Sequence, residues 1–133
     1  MSKLIFVNLP VKDLPKSVDF FTALGFEFNP DFTDDNATAM IINEQAFVML
    51  LVEDFFRGFT KKDLADTSRH TEAIMALSAD SRQEVDDLVD KALAAGGRPS
   101  NETMDQGGMY GRSFQDLDGH LWEVMYMDPS AMQ

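Results

Sequence analysis

The chain has 133 residues, 44% hydrophobic and 26% charged, enough for one globular domain with a sizeable core. Its 23 acidic and 11 basic residues give a formal charge of −12, which repels phosphate backbones and anionic lipid surfaces and argues against nucleic-acid and membrane partners. Cysteine is absent, which excludes disulfides, thiolate metal sites and a thiol nucleophile; without a signal-peptide core or a bilayer-length apolar run, a cytoplasmic location is expected.

Residues 3–11, KLIFVNLPV, read as a strand with Pro10 near its end. A helix is expected over 12–26. Asp13 is a candidate N-cap, Pro15 sits in the first turn, and Leu14, Val18, Phe21 and Leu24 recur at helical spacing before Gly25. Residues 27–32 read as a short strand broken at Pro30, 37–42 as a second strand, and 46–52 as a third, strongly apolar one. The stretch 53–70 resists strand assignment. It places Phe55, Phe56 and Phe59 among charges and reads as a short helix or a lid. Exposed aromatics in a cluster are expected to cover a cavity or a partner subunit, with core packing under a long connection as the alternative.

The pattern then repeats. Residues 71–79 read as a strand and 80–97 as a helix, with Ser81 and Glu84 as a capping box. Val85, Leu88, Val89, Ala92 and Leu93 make its apolar stripe, and Gly96 and Gly97 end it. Residues 98–108 read as an edge strand or loop, and 109–116 and 120–127 as strands joined by a hairpin turn at Leu117, Asp118 and Gly119. The order β-α-β-β-β thus occurs twice, with Asp13, Val18 and Asp19 mapping onto Asp80, Val85 and Asp86. Module 1 is about 3–56, a connecting loop or lid about 57–70, and module 2 about 71–128. Neither repeat can bury its apolar faces alone. No P-loop, GxGxxG, HExxH or GxSxG motif is present.

The two βαβββ modules, the opening "VNLPVKDLPKSVDFFTALGF" and the "DLDGHLWE" turn and strand together resemble the vicinal oxygen chelate superfamily over nearly the whole chain. That group includes glyoxalase I, bleomycin-resistance proteins, fosfomycin-resistance enzymes and extradiol dioxygenases. The resemblance implies an α+β fold whose two modules form a glyoxalase-like curved pair of half-barrels with eight strands around a shared cavity. It also implies a homodimer that builds or completes the site. Enzymes of the group hold a divalent metal with His, Gln or Glu on the inward faces of the first, fourth, fifth and eighth strands. Carried onto this sequence, the eighth-strand position is Glu123, but the other three fall on Phe6, Met49 and Ile74. Phe and Ile have no donor atom, and a Met thioether suits Cu(I) rather than the ions of oxygen chemistry. A lone carboxylate does not make a three-ligand open site. No cofactor is therefore expected; the alternative is a divalent metal at a rearranged, oxygen-rich site of Asn8, Glu72 and Glu123.

Glu123 has three readings: a buried acid bonded to Asn8, Tyr110 or Arg112, a polar anchor for a ligand, or a general base in a metal-free pocket. Strand alternation turns His120 to the opposite face, where turn stabilisation or a surface contact is expected; His70 suits a rim contact or solvation. Phe6, Asn8, Phe47 and Met49 from the first module are candidate ligand-binding residues. Ile74, Tyr110, Arg112 and Met125 are those of the second, with Arg112 an anchor for an anionic ligand or a salt-bridge partner of Glu123. Nine methionines suit a permissive pocket or a methionine-rich core. The function expected is binding of a small, partly apolar organic molecule, as the resemblance to bleomycin-resistance proteins implies. The alternatives are a metal-dependent lyase, isomerase or dioxygenase using Glu123, and a structural dimer without a ligand.

Overall fold

In the computed structural model, which describes residues 3–132, two sheets form from consecutive halves of the chain. One compact unit ends at Leu64 and the other begins at Ala65. The first unit contains β1 (Ile5–Val11), α1 (Leu14–Ala23), β2 (Glu27–Asn29), β3 (Ala37–Ile41), β4 (Ala46–Val52) and α2 (Glu53–Arg57). Its strands lie in the order β1-β4-β3-β2, with β1 parallel to β4 and the other pairs antiparallel. The second unit contains β5 (Ile74–Ala79), α3 (Arg82–Ala94), β6 (Arg98–Pro99), β7 (Met104–Gln106), β8 (Met109–Gln115) and β9 (Leu121–Met127). Its order is β5-β9-β8-β6, with β7 also paired to β8, and again the first and last strands run parallel. The duplication read from element order is therefore present in strand order as well.

The caps anticipated from the sequence form. The Asp13 carboxylate accepts from the Lys16 N–H at 3.1 Å, and Pro15 occupies the first turn of α1, where its missing N–H costs no helical bond. The Ser81 hydroxyl accepts from the Glu84 N–H at 3.0 Å, and Glu84 reaches back to the Asp80 N–H at 2.7 Å, one residue before the cap. Each such cap contributes about 1 kcal/mol.

Elsewhere the boundaries differ. Residues 27–32 divide into β2 and a 3-10 turn at Pro30–Phe32, because proline has no N–H for a strand ladder. The 98–108 edge carries two short strands, β6 and β7, on one neighbour, β8, so nine strands rather than eight occur among the described residues. Of 53–70 only Glu53–Arg57 is helical, and Phe55 and Phe59 pack edge to face at 5.3 Å. No helix among the described residues is long and apolar enough to cross a membrane.

Alternation sets the helix-facing core of each unit, although Ala37, Ala39 and Leu51 on the other face of the first sheet are buried as well. In the first unit Leu9, Val11, Met40, Val48 and Leu50 fall on the sheet face that α1 covers, and are buried with Phe20, Phe21 and Leu24. In the second, Phe114, Trp122 and Val124 are buried with Val85, Val89 and Ala92 of α3, and the Phe114 and Trp122 rings stack at 6.2 Å.

Candidate functional site

The residues that do not face the helices are the candidates. In the first unit, register sets Phe6 opposite Phe47 and Asn8 opposite Met49. All four are one residue out of phase with Leu9, Val11, Val48 and Leu50, so they share the sheet face turned away from α1. The Phe6 and Phe47 rings stack at 5.2 Å and 15°, and Phe6 stays 49% exposed. Such a stack leaves its outer ring face free for another flat or apolar group. Ile41 adjoins Phe47 from β3.

In the second unit, Glu123 lies between Ala76 of β5 and Ser113 of β8, on the face turned away from α3. Ile74 and Met125 share that face, and Ile74 is 51% exposed. Ser113 is held in place: its hydroxyl accepts from the Asn101 N–H at 2.7 Å and donates to the Asn101 carbonyl at 3.3 Å. Glu123 is half-buried, and its carboxylate makes no hydrogen bond or ion pair among the described residues. The buried, internally bonded acid of the first reading is not what forms.

Tyr110 and Arg112 stand on the other side of the same sheet. They are out of phase with Ser113, and Arg112 lies opposite Val124 rather than Glu123. The Tyr110 hydroxyl donates to Asp86 at 2.6 Å, and Arg112 donates to Asp86 at 3.0 Å and Asp90 at 2.9 Å. The Arg82 guanidinium covers the Tyr110 ring at 4.1 Å and forks onto Asp105 at 2.9 and 2.6 Å. The Tyr110 hydrogen bond holds the Asp86 carboxyl below its usual range, against the cost of burial and with help from Arg112. The same bond raises the Tyr110 phenol. This network pins α3 to β7 and β8. Of the two readings of Arg112, the salt bridge to Glu123 is thus replaced by one to the helix, and Tyr110 and Arg112 are not brought together with Glu123.

The "DLDGH" turn explains the phase of β9. One Asp116 carboxylate oxygen accepts from the N–H groups of Asp118 at 2.9 Å and His120 at 3.0 Å; the other accepts from the Trp122 indole at 2.9 Å. Gly119 has φ +80°, and a Cβ there would stand 2.9 Å from the Thr67 hydroxyl. That hydroxyl donates to the Asp118 carbonyl. His120 is buried, not at the surface, and its Nδ1 meets Glu72 at 3.1 Å. His70 is exposed just after a turn at 67–69, its N–H bonded to the Asp66 carbonyl at 2.7 Å.

The donor set does not fit a divalent metal of the kind the resemblance implies. Glu72 lies ahead of β5, outside its alternation, and is engaged by His120, which faces away from Glu123. Within its sheet Glu123 has as neighbours a serine already bonded, an alanine and apolar side chains. Among the described residues no three His, Asp or Glu side chains gather as a metal centre needs.

The sequence reading missed Asp86 and Asp90, four apart on α3 and so on one helix face, as the partners of Arg112. It also missed Asp116, whose signal was its place at the head of the turn with an indole two residues past the histidine.

The model of the Glyoxalase/Bleomycin resistance protein/Dioxygenase superfamily matches residues 3–124. A hypothetical protein from S. aureus is 34% identical, with 95% of each chain covered and a TM-score of 0.79. A glyoxalase/bleomycin resistance protein/dioxygenase family enzyme from Burkholderia phytofirmans PsJN is 14% identical, with 96% of this chain and 100% of that one covered and a TM-score of 0.78. The fosfomycin resistance protein FosX from Listeria monocytogenes, complexed with Mn(II) and sulfate, is 19% identical, with 98% of this chain and 94% of that one covered and a TM-score of 0.69. The last two share the fold alone. No curated protein matches the sequence.

Proposed function

Since the chain belongs to the Glyoxalase/Bleomycin resistance protein/Dioxygenase superfamily, we propose that it binds a small, partly apolar organic molecule, with no divalent metal holding it. The observation that carries this reading is the exposed Phe6–Phe47 stack, on one sheet face with Asn8 and Met49. Aromatic faces supply most of the contact energy of such a ligand, and a few polar atoms orient it. Asn8 is one such atom source. In the second unit, Glu123 shares a sheet face with Ile74, a separate surface that offers a carboxylate. The flexible thioether at Met49, beside Asn8, admits ligands of varied shape. The protein acts as a homodimer in the cytoplasm on this reading.

The unbonded Glu123 carboxylate favours a second reading, in which it takes a proton from the bound molecule as a general base in a lyase or isomerase reaction. One experiment separates these from a rigid dimer without a ligand. A library of small aromatic and aliphatic compounds is screened by thermal shift against the wild type, Phe6→Ala and Glu123→Ala, with metal content measured on protein purified without chelators. A ligand that raises the melting temperature of the wild type but not of Phe6→Ala supports binding at the stack. Turnover of a library compound that is lost in Glu123→Ala supports the base. Stoichiometric metal that disappears in Glu123→Ala overturns the metal-free reading, and equal shifts in wild type and Phe6→Ala overturn the site.

A further inference from the structure

Four methionines surround one glycine in the second sheet. Gly111 of β8 has Met104 opposite it on β7 and Met125 opposite it on β9. Met109 precedes it by two residues on the same strand, and Met127 lies opposite Met109. Register puts all four on one face. The intervening Asp105, Tyr110 and Arg112 bond to Arg82, Asp86 and Asp90 of α3, so the methionines point the other way. Neighbours across a strand pair stand about 5 Å apart and same-face neighbours along a strand about 7 Å, within reach of an unbranched side chain.

The absent side chain of Gly111 leaves a hollow that a thioether already enters. Met125 Sδ lies 2.2 Å, and its Cε 3.0 Å, from where a Cβ on Gly111 would stand. Met104 and Met127 are 42% and 40% exposed, so their sulfurs are accessible at the edge, and Met109 and Met125 are half-buried beside Gly111. Thioether sulfur is a soft, uncharged donor that needs no deprotonation. It prefers Cu(I) and Ag(I) to the hard divalent ions. Three rotatable bonds let each methionine swing its sulfur over the hollow without moving the backbone. With no cysteine in the chain, thioethers are the softest donors it has.

We propose that Met104, Met109, Met125 and Met127 form a thioether site for a soft monovalent metal ion of the Cu(I) class, seated over Gly111. The site goes beyond small-molecule binding at the Phe6–Phe47 stack, and it uses neither Asn8 nor Glu123.

The test titrates silver nitrate, a redox-inert probe, into the full chain in chloride-free buffer. Native mass spectrometry reads the stoichiometry, and competition with a chromogenic Cu(I) chelator reads the affinity. A single Ag(I) per chain is expected. Met104→Leu and Met127→Leu should each weaken Cu(I) binding about tenfold or more, a loss of about 1.4 kcal/mol. Met109→Leu with Met127→Leu should abolish it, and Gly111→Ala, which fills the hollow, should weaken it too. Met→Leu nearly conserves volume, so the variants keep the fold. Should the double variant fail to fold, the single variants at exposed Met104 and Met127 decide. Met40→Leu, buried in the other sheet, serves as control and should leave affinity unchanged. No silver bound at equimolar addition, or binding that persists in the Met104 and Met127 variants, overturns the proposal.

Discussion

The indole of Trp122 donates to the second carboxylate oxygen of Asp116 at 2.9 Å, and both residues are buried. The first oxygen closes the turn through two backbone N–H groups, so one side chain shapes the hairpin and also anchors the core ring that follows it. That anchoring sets the phase of β9: Trp122 and Val124 turn to α3, and Glu123 turns away. Trp122→Phe keeps the stack with Phe114 but removes the donor. It should destabilise the protein by about 1–3 kcal/mol, the cost of an unsatisfied buried acceptor. Urea unfolding measures this, and a change below about 0.5 kcal/mol, the size of a surface substitution, would mean that the bond contributes nothing.

Burial pushes the Asp116 carboxyl up from its usual value, against the pull of His120 and of the indole and backbone donors. The sign of the pH effect follows. A raised value means that the native state holds this proton more tightly than the unfolded chain does. The stability it brings is complete below the unfolded carboxyl value of about 4 and is lost as pH rises through the folded one. Asp116→Asn cannot ionise. Its stability relative to wild type should therefore improve steadily as pH rises from about 4, on top of a constant penalty for facing the indole N–H with an amide. Lowered groups such as Asp86 and Asp105 are common to both proteins and cancel in the comparison. A wild type that gains on the variant over this range would show the opposite shift.

At Asp86 the direction is reversed. Its carboxyl is held low chiefly by the Tyr110 hydroxyl, so its contribution is present above the unfolded value and lost as pH falls through the folded one. Tyr110→Phe removes that donor but keeps a ring beneath Arg82. The Asp86 carboxyl should move up towards its ordinary value while Arg112 still holds part of the shift. A carboxyl-detected NMR titration reads this directly, and an unmoved Asp86 would assign the effect to Arg112 alone.

Much of this arrangement is legible in the sequence because period-2 alternation is a strong signal. It places Phe6 with Asn8, Phe47 with Met49, and Glu123 opposite in facing to His120. The Ser81–Glu84 cap is equally plain. Strand pairing was harder. Arg112 shares a face with Phe114, but whether that face also holds Glu123 depends on register across the hairpin. A turn centred on Asp118 already puts Gln115 opposite Leu121, and so Arg112 opposite Val124. That register is legible in the sequence. The edge strands β6 and β7 are not, since two or three residues carry no periodicity. Nor is the start of β5 at Ile74, because nothing in "TEA" breaks a strand; Glu72 reaches His120 through a bend rather than by alternation.

Glu123 supports nothing within its own unit, which makes it a clean probe. Glu123→Gln should change stability by no more than about 0.5 kcal/mol, as expected for a side chain without internal partners. A urea midpoint with an unchanged slope measures it. A loss of several kcal/mol would instead reveal a structural bond to this carboxylate and remove the ground for a ligand-directed role.

Phe6 and Phe21 are both phenylalanines of the first unit, but the first is 49% exposed and the second 1%. Truncating Phe21 empties a packed core beneath α1 and should cost about 3–5 kcal/mol. Truncating Phe6 gives up a half-exposed ring and one stacking contact, about 1–2 kcal/mol together. Ligand binding should rank the two the other way: Phe6→Ala abolishes the thermal shift of a bound aromatic compound, whereas folded Phe21→Ala retains it. Unfolding curves with and without ligand give both numbers from one set of samples. If Phe6→Ala were as destabilising as Phe21→Ala, the stack would be core rather than site. If it bound ligand like the wild type, the molecule would sit elsewhere.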